Sequence, residues 1–164
     1  MSVYLEGSAV LLDSGSVATD AACCCGSGPC AGITHVNAAF TFSADDGTFF
    51  FSGSGSVSGS LNSSCNFSAT VLVPVTVHNH VGADCTPDTH VACAVIITYL
   101  GGISWGLDTD VSMLDHSTVC DGGGWPPDSI VAALSTSFVG FSDFETLTPT
   151  TAIVMNATIN VTLT

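Results

Sequence analysis

The sequence predicts an all-β fold, an antiparallel β-sandwich or jelly roll of about seven or eight strands with at most one short helix. Three observations carry this. Apolar residues recur with a period of two along most of the chain, Gly/Ser/Asp clusters punctuate those runs, and no long segment has the 3.6-residue period of a helix. At 164 residues the chain suffices for one domain, 1–164, that buries roughly two-thirds of its unfolded surface.

The first element is a Cys-rich loop, 19–32, whose Gly-Ser-Gly-Pro stretch before Cys30 is turn chemistry. A strand follows, with Val36, Ala38, Phe40 and Phe42 on one face and His35, Asn37, Thr41 and Ser43 on the other. Asp45-Asp46-Gly47 then predicts a hairpin, because Asp-Gly tolerates the positive φ of a tight turn, and the return strand starts at Thr48. From Phe51 to Leu61 serines at 52, 54, 56, 58 and 60 alternate with Gly53, Gly55, Val57 and Gly59. That pattern fits either a flexible linker or a strand whose bare face another backbone approaches, as at a subunit contact.

Phe67, Ala69, Val71, Val73, Val75 and Val77 give the cleanest alternation, and Pro74, which has no amide donor, predicts an edge strand or a bulge. Val91–Leu100 is apolar on both faces, which predicts a strand at the sheet centre. Over Ser129–Phe141 two readings compete: Asp128 caps a short helix through Ala132–Leu134, or the segment is extended. The chain closes with a strand in 151–164, where Ile153, Met155, Ala157, Ile159, Val161 and Leu163 share a face.

Composition narrows function. The chain has no Lys or Arg, fourteen Asp and Glu and a net charge of −14. Nucleic acid binding rests on basic residues that displace counterions from phosphates, so nucleic acid is excluded as a direct ligand and anionic membranes are disfavoured. No run is long and apolar enough for a membrane helix, and Met1–Glu6 lacks the basic start of a secretory signal. With salt bridges nearly absent, repulsion among the acids should relax on protonation, so mild acid should be tolerated better than alkali.

Eight cysteines, Cys23, Cys24, Cys25, Cys30, Cys65, Cys85, Cys93 and Cys120, predict disulfides: the count is even and no basic residue stands by to activate a thiolate. Adjacent Cα atoms lie about 3.8 Å apart, too close for a relaxed bridge, so Cys23–Cys25 should act as a hub reaching Cys65, Cys85, Cys93 or Cys120, or a neighbouring subunit. A zinc site from Cys85, His90 and Cys93 with His78 and His80 is the competing reading, although no Cys-x-x-Cys pair occurs. Asp108, Asp110 and Asp115, or Asp45 and Asp46, offer oxygens to calcium, but solvated turn carboxylates explain them as well. Sequons stand at Asn62, Asn66, Asn156 and Asn160.

No nucleophile elbow, zinc-protease helix motif, P-loop or dinucleotide glycine pattern is present. The sequence therefore points to a non-enzymatic, cofactor-free structural subunit that self-assembles. The first expectation is a capsid-decoration, tail or fibre protein on a virion surface, homo-oligomeric and disulfide-stabilised. The second is an extracellular filament or surface-layer subunit joined by strand addition at the C-terminal strand or the Pro74 edge. The third is a soluble metal-binding module.

Overall fold

The computed structural model describes residues 4–6, 9–11, 17–19, 29–45, 47, 49–80, 82, 90–115, 129–151 and 154–164. Three short strands near the N-terminus, β1 (Tyr4–Glu6), β2 (Ala9–Leu11) and β3 (Val17–Thr19), pair as an antiparallel meander. The body is built from β4 (His35–Asp45), β5 (Phe49–Ser60), β6 (Asn66–Pro74), β7 (His78–Asn79), β8 (His90–Gly101), β9 (Ser104–Asp115), β10 (Ser129–Val139), β11 (Ser142–Pro149) and β12 (Val154–Leu163). These form one nine-stranded sheet in the order β6-β8-β9-β10-β11-β12-β4-β5-β7, antiparallel throughout.

The all-β antiparallel prediction holds at this level, but the sheet is a curled half-barrel and not two separate sheets of seven or eight strands. The reason lies between β10 and β11. Ala132 pairs with Pro149 and Ala133 with Thr148, and these two ladder positions keep the sheet continuous where a sandwich would break. They divide it into β6-β8-β9-β10, called the acidic half because its outer face carries Asp108 and Asp110, and β11-β12-β4-β5-β7, called the hydroxyl half because Ser, Thr and Asn dominate its outer face. Period-two alternation aims one side chain in two at the concave face. Phe40, Phe51, Ile97, Trp105, Leu107, Val111, Ile159 and Val161 are all at most 1% exposed there.

The hairpin at Asp45–Gly47 forms as its sequence demands: Gly47 has φ +86° and its N–H donates to Asp45 Oδ1 at 2.8 Å. The Ser/Gly segment is a strand, not a linker, and its bare face is filled from within the chain. A Cβ on Gly55 would stand 2.6 Å from Val73 Cγ2, and one on Gly59 would stand 2.8 Å from Phe67 Cε2. Side chains of β6, and not the backbone of another subunit, occupy the space the glycines leave.

Of three further expectations, one is corrected, one is resolved and one holds. β8 is not central: it lies one strand in from the β6 edge, and its outward Ile96 and Leu100 are exposed, so its two apolar faces do not mean two covered faces. Ser129–Val139 is strand β10, with a register shift between Ile130 and Ala132 and no helical turn; Asp128 falls outside the described residues. Pro74 does end the terminal strand of the sheet, where its missing N–H costs no ladder bond.

Candidate functional site

The chemistry-bearing residues fall into four places. The first is a stapled corner. Pro29–Gly32 form a tight turn, left-handed at Cys30 and Ala31, that leads into β4, and Cys30 in that turn is bonded to Cys65, just ahead of β6, with Cα atoms 5.3 Å apart. Both cysteines are buried, and both adopt left-handed backbone conformations, φ 62° and 60°, a conformation that costs a non-glycine residue about 1–2 kcal/mol. Asn62 Oδ1 accepts from the N–H groups of Ser64 and Asn66 at 2.9 and 3.0 Å, which folds the 61–65 connection tightly against the bridge. Beside it lies an open cleft of about 350 Å³ lined by Cys30, Ile33, Thr34, Leu61 and Asn62.

The expected hub thus loses one member, because Cys65 is taken by Cys30. Cys23, Cys24, Cys25, Cys85 and Cys120 lie outside the described residues. Cys93 departs from the disulfide expectation: it is a free thiol, 0% exposed, on the concave face of β8. Burial, with the charge of Asp110 second, pushes its thiol up to about 12, so it sits in the core as a small apolar group rather than a nucleophile.

The second place is the outer face of the acidic half. Asp108 and Asp110, two apart on β9, both point outward beside an open groove of about 360 Å³ bounded by Ala94, Ile96, Ile130 and Leu134. Ser135 Oγ donates to Asp108 and Ser112 Oγ donates to Asp110 at 3.0 Å. The carboxylates are thereby satisfied by hydroxyls of their own face. The third place is the tip of the β4–β5 hairpin, where His80 Nε2 lies 3.3 Å from Asp45 Oδ1 and the His78 ring stacks on Phe50. The Gly47 N–H foremost, and His80 after it, hold the Asp45 carboxyl below its usual value. His78 and His80 are therefore engaged by different partners. Among the described residues no three His, Cys, Asp or Glu side chains converge where a metal ion could bind.

The fourth place escaped the sequence reading. Asp143 and Glu145 pair with Val161 and Ile159 of β12 and therefore point the same way as these buried residues, toward the concave face. Asp143 Oδ1 accepts from the Phe144 N–H at 3.0 Å, while Oδ2 is buried with no hydrogen-bond partner, as is Nε1 of the fully buried Trp105. The inverted pattern of β11, acids inward and Phe144 64% exposed, is the signal in the sequence that period-two reasoning overlooks.

The outer face of the hydroxyl half differs from all four. Ladder registers align Ser58-Asn37-Thr162-Ser142, Ser56-Ala39-Asn160-Phe144 and Ser54-Thr41-Thr158-Thr146 across β5, β4, β12 and β11. Thr41 and Thr158 share a hydrogen bond of 2.6 Å within it, and Asn156 and Asn160, two of the sequon asparagines, are exposed on it. None of the fourteen acids stands in those rows. No family model, curated protein or solved structure matches the chain.

Proposed function

We propose that this chain is a non-enzymatic structural subunit of a virus particle, a capsid-decoration, tail or fibre protein, that assembles with copies of itself and is stabilised by disulfides in an extracellular setting. The observation that carries the reading is the uncharged hydroxyl face. A chain of net charge −14 with no Lys or Arg has few cations to offer a second copy, and like-charge contacts across an interface are costly. Repeated self-contact is therefore restricted to surfaces free of carboxylates, and this chain sets aside three aligned rows across four strands for one. The Cys30–Cys65 bridge supports an oxidising destination.

Sedimentation and electron microscopy of the full chain over a range of concentrations test the reading. Ordered multimers that persist in salt are the expected result. A monomer carrying one zinc per chain by elemental analysis would replace it with the metal-binding module.

A further inference from the structure

We infer that the free edge of β5, which borders the hydroxyl face, is one self-contact, joining two copies as antiparallel neighbours about a two-fold axis at Ser56. The inference rests on the structural-subunit reading and names its interface.

Along one edge β5 is paired with β4 from Phe50 to Ser60 without a register shift. Along the other, among the described residues, β7 pairs only with Phe49 and Phe50. β6 meets β5 through side chains on the concave face and not through a ladder. Among the described residues Ser52–Ser60 thus has backbone donors and acceptors that no ladder uses, and their natural complement is another extended strand. Exposed edges are ordinarily guarded by lysine, proline, a bulge or an inward charge. This stretch has none of them: it is regular, and every residue in it is Ser, Gly or Val. The contrasting edge, β6, ends in Pro74 and carries Leu72 outward.

What selects a second copy over any other strand is the sequence itself. Ser52-Gly-Ser-Gly-Ser56-Val-Ser-Gly-Ser60 reads almost identically in both directions. Antiparallel self-pairing centred on Ser56 sets Ser54 against Ser58 and Ser52 against Ser60, so that hydroxyls meet hydroxyls on the outer face. On the other face Gly53 meets Gly59 and Val57 meets Gly55, so no cross-strand pair sets two bulky side chains against each other. A two-fold contact requires such self-complementarity. No charge is brought near another within the paired segment, and the hydroxyl face continues across the junction.

Two substitutions read this register. In Ser56→Cys the two new thiols face each other with Cα atoms about 4.5–5.5 Å apart, within disulfide reach, so mild oxidation with oxidised glutathione should give a covalent dimer. In Ser54→Cys the two thiols stand about 13 Å apart along the strands and no new dimer band should form. Ser54→Asp with Ser58→Asp places carboxylates opposite each other and should weaken association at least about tenfold, with the fold checked by circular dichroism. Mixing that variant with Ser54→Lys/Ser58→Lys should restore it as a heterodimer. Multimers indifferent to all of these changes would overturn the β5 contact and leave the structural-subunit reading standing. A wild-type chain that stays monomeric throughout would overturn both.

Discussion

The two halves of the sheet meet at two corners, and the corners are built in opposite ways. At the β5/β6 corner the backbones share no ladder, yet the joint is closed. Val73 and Phe67 fill the space above Gly55 and Gly59, Cys30–Cys65 staples one end, and buried Val75 and Val77 lead the chain across to β7 at the other. At the β10/β11 corner the strands are joined by ladder bonds, but only at Ala132 and Ala133, reinforced by Thr150, whose N–H donates to Val131 O and whose hydroxyl donates to Ile130 O. Beyond them the strands part, and two carboxylates point at the concave face. Side-chain filling and a covalent tie hold the first corner, while a few backbone bonds hold the second. Local stability follows buried apolar contact more than hydrogen bonding, so the unladdered corner should be the firmer one.

The largest test removes the staple. Cys30 and Cys65 enclose 35 residues of separation, for which chain entropy gives about 4 kcal/mol of stabilisation. Cys30→Ala/Cys65→Ala should lower the denaturant midpoint accordingly, and reduction of the wild type should lower it in parallel. A loss below about 1 kcal/mol would mean that packing alone closes the corner. Next comes Gly55→Val. Its Cβ alone would reach 2.6 Å from Val73 Cγ2, an overpacking that should cost about 1–3 kcal/mol. The same change at Ser56, which faces outward, should leave monomer stability within about 0.5 kcal/mol.

The first corner was half legible in the sequence and the second not at all. Alternation in Val36–Phe42 and Phe67–Val77 announces strands because each strand has one buried face, and Asp45–Gly47 announces its turn because few residues tolerate positive φ. The bare face of β5 is visible as a pattern, but what fills it is not, since Val73 lies eighteen positions beyond Gly55 and contact across the core leaves no local mark. Disulfide pairing is equally nonlocal: eight cysteines allow 105 connectivities, and covalent geometry alone pointed to Cys23–Cys25 as a hub. β11 was hidden for a different reason. Its acids point inward and Phe144 outward, so a reader who assigns faces by polarity inverts the strand or misses it.

Asp143 tests that inversion directly. Its buried Oδ2 lacks a partner, and an unsatisfied buried polar group costs about 1–3 kcal/mol. Asp143→Val should therefore stabilise the fold by about 1 kcal/mol, after subtracting the single bond from the Phe144 N–H. A stabilised variant would mark the carboxylate as a liability of the loose corner; a destabilised one would mean that the acid is holding β11 in place.

The smallest effect lies at the far end of the firm corner, where His80 follows β7 and meets Asp45. Because the Gly47 N–H and then His80 hold the Asp45 carboxyl below its ordinary value of 3.8, its contribution is present above that value and is lost as pH falls through its lower folded value. This runs against the general relief of acid–acid repulsion on protonation, so the two must be separated by a difference measurement. Asp45→Asn keeps an oxygen for the Gly47 N–H and removes only the charge. The wild type should be slightly the more stable near neutral pH, and the two melting curves should converge as pH falls below about 4. Because both side chains are half-exposed, at 46% and 49%, the gap should also shrink in high salt. A gap that stayed constant with pH would assign the fastening of β7 to the Phe49–Asn79 and Phe50–His78 ladder alone, and the firm corner would then owe nothing to charge at either end.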